Sequence, residues 1–538
     1  MTAVRAHRLR KALTRLELLV TTGWGAAAVF VAAVAQYSLV SVALPVLPGR
    51  DFGDYLWFYV QTGDWRSVFP MSMLFRTPIA PLLIGGPLDL AGGWGALVAM
   101  ALLFGASVVA WTRVALIFGR RAALLTAVAL LVFPGYAIVF HALSSNTVFA
   151  ATFAAFALAL AQAFTRPSPG RFAVLGLAVG AAALTRPEAQ VLVVFAVVPL
   201  VLALSWRRRI LCTAVCLVAA FVVLGGWAVN NGLRYGDYTV ARRGPAYLPF
   251  FRAFTTDHIV SPKNGPASRK LARAVEADIL TQQPYRAYGV TSEAFFARGK
   301  DREFADLLSL SDRALGWDSN YSVLFHAGIE AVRAHPRTYA RGVGHTLFFE
   351  LWHPLFVALP AAATTPQSAG ASASHPTQLP RPTEGDLVPS AHEGAYLATR
   401  DGHIREVWTS ATDHHLVFAK PGQQIRYEAV QAASGRLAAR VQIYAGSRSL
   451  TLQFSRSSKL FPPALLWLAA GIIGILVRRP ARASLAAALA AAALLIILFE
   501  ALSDYAIVEF AVPLIPALIV FGAAGLCGSR EIAHRGES

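Results

Sequence analysis

Ten long apolar runs constrain this chain more than any other feature. In the 538-residue sequence they fall at roughly 18–44, 93–117, 122–141, 146–164, 172–186, 189–205, 210–230, 460–477, 483–500 and 506–526. Runs of about 17–25 apolar residues are long enough to cross a bilayer as helices. Lipid offers no partner to a bare backbone amide, so a spanning segment of this length and composition satisfies its own hydrogen bonds by coiling. Only 14% of the residues are charged and 56% are hydrophobic, where soluble chains carry roughly 25% charge. The reading is an α-helical polytopic membrane protein of about ten spans.

The charge that remains is distributed by topology. Lysine and arginine number 48 against 30 acids, a net +18, which on its own could suggest nucleic acid. Instead the cations cluster beside the apolar runs, and no nucleic-acid-reading motif is present. Arg5, Arg8, Arg10, Lys11 and Arg15 precede the first run, Arg120 and Arg121 follow the second, and Arg166 and Arg171 follow the fourth. Arg207, Arg208 and Arg209 follow the sixth, and Arg478, Arg479 and Arg482 the eighth. If basic loops stay inside, all five clusters face the cytoplasm with both termini, and the longest connections face outward. The N-terminal apolar region is too long for a cleavable signal peptide and lacks a clean A-x-A site, so it is expected to be retained.

Three outward segments result. The first, 45–92, ends in "RTPIAPLLIGGPLDL" (Arg76–Leu90), too short and too broken by proline to span. The second, 231–340, mixes polar and aromatic residues and reads as short helices and loops. Next comes "RGVGHTLFFELWHPLFVAL" (Arg341–Leu359), whose Trp, His and Phe content suits an interfacial or re-entrant helix. A linker rich in Ala, Ser, Thr and Pro occupies 361–385. Beyond it Ile425, Tyr427 and Ala429 alternate with polar neighbours. So do Leu437, Ala439, Val441 and Ile443, then Leu450, Leu452 and Phe454. Period two predicts a small extracytoplasmic β-rich module at 386–457. The domains are therefore a membrane region at 1–360 with outward loops 45–92 and 231–340, the linker, the β module, and C-terminal transmembrane helices at 458–538.

Candidate chemistry lies at the outer ends of the runs. "GRDFGDYLWFYVQTGDW" (Gly49–Trp65) sets Asp51 and Asp54 among Phe52, Tyr55, Trp57, Phe58 and Trp65. A partly desolvated carboxylate gains basicity, which suits a general base; a solvated loop acid marking the membrane surface is the plain alternative. Arg76, Arg186, Arg234, Arg242 and Arg243 lie at the same outer face, against the positive-inside trend. Phosphate is a natural partner for guanidinium; headgroup contact, or an internal pair such as Arg186 with Glu188, is the alternative. Cys212 and Cys216 share one helix face and read as apolar fillers. His141 ends the third run, and Asp413, His414 and His415 read as surface. There is no HExxH or Cys/His box, and no nucleotide or serine-hydrolase motif.

Taken in order, these pieces resemble the GT-C superfamily of polytopic glycosyltransferases, which includes protein O-mannosyltransferases and the lipid A aminoarabinose transferase. Asp51 and Tyr55 have the spacing of that family's acidic loop. "TGDW" (Thr62–Trp65) is similar to its Gly-Asp-Trp turn, and "FRTPIAPLL" (Phe75–Leu83) to the start of its juxtamembrane helix. "LTRPE" (Leu184–Glu188), "GWAVNNGLRYG" (Gly226–Gly236), "AHPRTY" (Ala334–Tyr339) and "EFAVPLIP" (Glu509–Pro516) follow as likenesses to later family motifs. The likeness covers about 45–350 and 460–526.

The resemblance implies a cell-envelope glycosyltransferase. It moves a sugar from a polyprenyl-phosphate donor to a hydroxyl of a lipid, glycan or protein acceptor at the extracytoplasmic face of the cell membrane. Asp51, with Asp54 second, is the expected base. Arg76 and Arg186 are expected at the phosphate, and Tyr55, Trp65, Glu188, Asn231 and Arg234 around the substrates. The sequence departs from the pattern at Phe52, which stands for a Glu, and at Asn146, where many members have a second acid. It departs again at Asn230 and Glu509, which stand for arginines. With one acid missing, no cofactor is assigned and a divalent metal is left open. A lipid or solute transporter or flippase is the rival, disfavoured because no internal repeat is found and the charges sit at the outer rim. A non-catalytic scaffold is the third reading.

Overall fold

The computed structural model describes residues 11, 14–63, 70–282, 285–286, 288–297, 299–315, 321–353, 387–389, 396–400, 403–408, 421–441, 459–504 and 507–528. Its main helices are α1 (Gly23–Ala43), α2 (Phe52–Gln61), α3 (Ile79–Leu116), α4 (Arg120–Val132), α5 (Ser145–Thr165) and α6 (Pro169–Ala183). They continue with α7 (Trp206–Tyr235), α8 (Pro336–Trp352), α9 (Pro421–Ala439), α10 (Ala464–Arg478), α11 (Ala483–Ser503) and α12 (Ile515–Cys527). Among the described residues six helical stretches are long and apolar enough to cross a membrane: Gly23–Val42, α3, α5, α7, α11 and Glu509–Cys527. Three shorter apolar stretches, α6, Pro187–Val201 and α10, join them. All ten apolar runs fall largely on helix, so this is a helical membrane protein.

Small residues let the helices meet backbone to backbone, as they do where lipid gives no hydrophobic drive to association. At the α10–α12 contact a Cβ on Gly474 would lie 2.3 Å from the Cα of Gly525. Buried Phe104, Trp111, Phe153, Leu489 and Ile519 belong to the large apolar core. A second core lies under the region of short helices Pro266–Asp278, Asp301–Ala314 and Ser322–Ala334, where Phe250, Phe254, Leu271, Leu307 and Leu324 pack with Phe75.

The long helix α3 is broken at Ala91 and Gly92, whose backbones leave the helical region. Its first arm, too short to span, corresponds to the proline-broken stretch after Arg76. Helix α8 starts earlier than the expected 341 and ends at Trp352; residues 354–359 lie outside the described residues.

The β-rich reading of 386–457 needs correction. Strands Leu387–Pro389, Tyr396–Arg400 and His403–Trp408 do form an antiparallel sheet in that order. The strands read at 425–429 and from 437 are instead part of helix α9. Its sequence is rich in Ala, Gln, Arg, Leu and Glu, all good helix formers. Ile425, Ala429, Ala433 and Leu437 also recur every four residues, and Leu437 is buried. That longer period outweighs the local alternation. Residues 442–458 lie outside the described residues.

Three backbone ties carry the loops to one end of the bundle. Leu47–Pro48 pairs in parallel with Ala142–Leu143, just ahead of α5. Gly49 N donates to Leu143 O at 3.1 Å, and a Cβ at Gly49 would stand 2.8 Å from Ser144 Cβ. Only glycine permits that approach. Ile79 N donates to Leu184 O at 3.1 Å, and Arg242 N to Leu74 O at 2.9 Å. One end each of α1, α3, α5, α6 and α7 is thereby gathered around residues 47–49 and 74–79.

Candidate active site

Asp51 is the N-cap of α2, with a left-handed backbone (φ 57, ψ 20) and no side-chain capping bond. Non-glycine residues seldom sit there, and an aspartate at this position normally caps the helix, a bond contributing about 1 kcal/mol. Asp51 forgoes it. Its Oδ2 lies 3.0 Å from Arg76 Nη1 instead. Asp54, one turn into the helix, takes Arg76 Nη2 at 2.7 Å. One guanidinium thus bridges two carboxylates. The Asp51 side chain is 37% exposed, Asp54 16% and Arg76 10%, so only Asp51 opens substantially to the outside.

Tyr55 lies under this bridge. Arg76 Cζ stands 5.5 Å from its ring centroid. Burial pushes the phenol above its ordinary value, against the pull of Arg76, so Tyr55 stays neutral. Burial also opposes the charge on Arg76, but the carboxylates of Asp51 and Asp54 outweigh it and hold the guanidinium well above its ordinary range. The Nε of Arg76 is buried without a hydrogen-bond partner.

A second arginine centre forms at Asn146, near the start of α5. Arg186 Nη1 donates to Asn146 Oδ1 at 2.7 Å. Its Nη2 lies 2.9 Å from Glu500 Oε1, and its Nε 3.7 Å from Glu188 Oε2. Asn146 Nδ2 donates in turn to Glu509 Oε1 at 3.2 Å. The rings of Phe510 and Phe149 lie 4.7 and 5.4 Å from Arg186 Cζ. Glu188 also pairs with Arg243, whose Cζ lies 5.2 Å from the Tyr247 ring.

The structure therefore sets two arginine centres near each other: Asp51, Asp54, Tyr55 and Arg76 in one, Arg186 and Glu188 in the other, close enough for Glu188 to feel the charge of Arg76. Asn231 serves the turn after α7, where its Nδ2 donates to Thr239 O at 2.8 Å. Arg234 stands on the last turn of that helix. Trp65 lies outside the described residues. The expectation of arginines awaiting phosphate is refined, because Arg76 and Arg186 already hold carboxylates. Glu500 and Tyr247 were not among the expected site residues. A lone glutamate inside an apolar helix was the signal for Glu500, since such a residue is costly unless paired or functional. Among the described residues no three or more His, Cys, Asp or Glu side chains gather as a cation site.

These features define a helical membrane protein with a bridged acid–arginine network at one end of the bundle. Residues 76–229, less than a third of the chain, match the family model described as dolichyl-phosphate-mannose-protein mannosyltransferase. The likeness to GT-C glycosyltransferases is borne out over that segment. Two crystal structures of ArnT from Cupriavidus metallidurans are similar, each at 16% identity. The form bound to undecaprenyl phosphate has a TM-score of 0.36 over 94% of this chain and 77% of that one. The apo form has a TM-score of 0.32 over 94% and 78%. No curated protein matches the chain.

Proposed function

We propose that this protein is an integral-membrane glycosyltransferase that moves a sugar from a polyprenyl-phosphate donor to an acceptor hydroxyl at the extracytoplasmic face. The observation that carries the reading is the Asp51–Arg76–Asp54 bridge. There a helix-capping aspartate gives up its cap and adopts a left-handed backbone to meet an arginine at the mouth of the bundle. Unusual backbone at a polar cluster is a fair pointer to function. The family match over 76–229 begins at this same arginine.

In this reading Asp51 takes the proton of the acceptor hydroxyl through the oxygen that Arg76 leaves open. The acceptor oxygen then bonds to the anomeric carbon as the bond from that carbon to the phosphate oxygen breaks, with inversion. Negative charge builds on the departing polyprenyl phosphate, and fixed cations at that position lower the barrier. Arg76 has an unspent buried Nε, and Arg243 belongs to the neighbouring centre through Glu188. Phosphate enters by exchange for a carboxylate partner. Asp54 and Tyr55 hold Arg76, while Arg186 and Glu188 form the wall behind it.

The test is sugar transfer from a polyprenyl-phosphate donor by purified protein in lipid. Asp51→Asn is expected to lower the rate by about 10²–10⁴-fold, the usual range for a general base, with unchanged thermal stability. Full activity in both Asp51→Asn and Asp54→Asn would remove the base assignment, and vesicle uptake without transfer would favour a transporter.

A further inference from the structure

Helix α2 carries Asp54 and Tyr55 and starts at Asp51, so its orientation sets where the carboxylates point. It is only ten residues long, and a helix of that length depends on its neighbours to stay in place. One neighbour is the first arm of α3. Tyr59 packs so closely there that a Cβ on Gly85 would lie 2.2 Å from Tyr59 Cγ. One turn further, Tyr59 OH donates to Asp89 Oδ2 at 3.0 Å. Asp89 stands just before the break at Ala91 and Gly92, where the backbone leaves the helical region and the first arm ends.

Two carbonyls at that end are met from far along the chain. Arg440 Nη1 donates to Asp89 O at 3.1 Å and to Leu88 O at 3.4 Å, and lies 3.9 Å from Asp89 Oδ1. A cation at the C-terminal end of a helix arm is favourably placed for its dipole. Arg440 directly follows α9, and its neighbours in space, Leu437 and Val441, are buried in the large apolar core. Helix α9 itself packs against α2 and α3. A single side chain from the C-terminal outward region thus closes a relay of Arg440, Asp89 and Tyr59 onto the helix that holds the acids.

We propose that Arg440 is a positioning residue for the reaction. Through Asp89 and Tyr59 it fixes the orientation of α2, and it makes the region after the 361–385 linker a working part of the site. The inference rests on the glycosyltransferase reading, but its first readout does not. In the full-length protein in lipid nanodiscs, Arg440→Ala raises amide hydrogen exchange across 52–61 and 84–90, while thermal stability stays unchanged. Arg440→Lys keeps the charge and restores much of the protection. Unaltered exchange in Arg440→Ala overturns the proposal, whatever the protein catalyses. In the transfer assay Arg440→Ala lowers kcat by about tenfold or more, as misplacement of reacting groups does, with KM for the donor little changed. Asp89→Asn has the same effect, and the double variant is no worse than either single one. Strictly additive losses, or full kcat alongside raised exchange, would show that the relay does not serve transfer. Full transfer by Asp51→Asn would sink the base assignment and leave the exchange result standing.

Discussion

The two arginine centres use the same chemistry in different surroundings. Arg76 joins two aspartates, one of them 37% exposed. Arg186 is enclosed by Asn146, Glu188 and Glu500, and Glu500 is only 2% exposed. Two charges removed from water repay their desolvation only when every partner stays in place. The Arg186 centre is thus suited to hold the neighbouring ends of α5, α6 and α11 in register. The Arg76 centre, reached by solvent through Asp51, can exchange a partner at modest cost. One is built as a brace; the other is the working face of the proposed reaction.

That contrast can be broken first at the brace. Arg186→Met leaves Glu500 and Glu188 without their shared cation, and should destabilise the protein by about 3–5 kcal/mol in thermal or denaturant unfolding. A loss below 1 kcal/mol would mean that Arg186 is no brace. Packing inside the bundle gives a reference with no charge involved. Gly474→Leu, forced against Gly525, should cost about 1–3 kcal/mol while leaving the pH dependence of any activity unchanged. At the working face Arg76→Met should cost only about 1–2 kcal/mol of stability, because Asp51 can rehydrate. Transfer should nonetheless fall as far as in Asp51→Asn.

The smallest effect belongs to the region of short helices. Glu330 accepts hydrogen bonds from Ala267 N, Ser268 N and Ser268 Oγ at the start of helix Pro266–Asp278. Burial alone would raise its carboxyl, but these bonds, with Arg269, hold it below its ordinary 4.5. A lowered folded-state value means that its stabilisation is present above about pH 4.5. It is lost as the pH falls through the folded-state value. Glu330→Ala should cost about 1 kcal/mol, the usual worth of a helix cap, and the difference from wild type should vanish in acid.

The same contrast bears on what the sequence could reveal. Asp51, Asp54 and Tyr55 stand within five residues, and Arg76 opens the next segment, so a local reading finds them. Arg186 was visible as a cation at an outer mouth, and its pairing with Glu188 as an alternative. Glu500 left only a faint sign, because one acid barely dents the hydropathy of an apolar run, and its partner lies more than 300 residues away. Helices followed from the apolar runs, since in lipid the backbone has little choice. Helix α9 did not follow, because a short alternation masked a four-residue period whose meaning depends on Leu437 reaching the core. Arg440 was equally hidden, since its value comes from a helix break at Ala91 and Gly92 that local sequence does not announce.

The most direct test is a polyprenyl-phosphate analogue with a photoreactive group beside the phosphate, crosslinked to the protein in lipid and mapped by peptide. Labelling of 51–61, of the stretch around Arg76 and of 242–251, competed away by natural polyprenyl phosphate and reduced in Arg76→Met, is the expected result. Competable labelling confined to other parts of the bundle, with these segments untouched, would contradict a donor site at the Asp51–Arg76–Asp54 bridge.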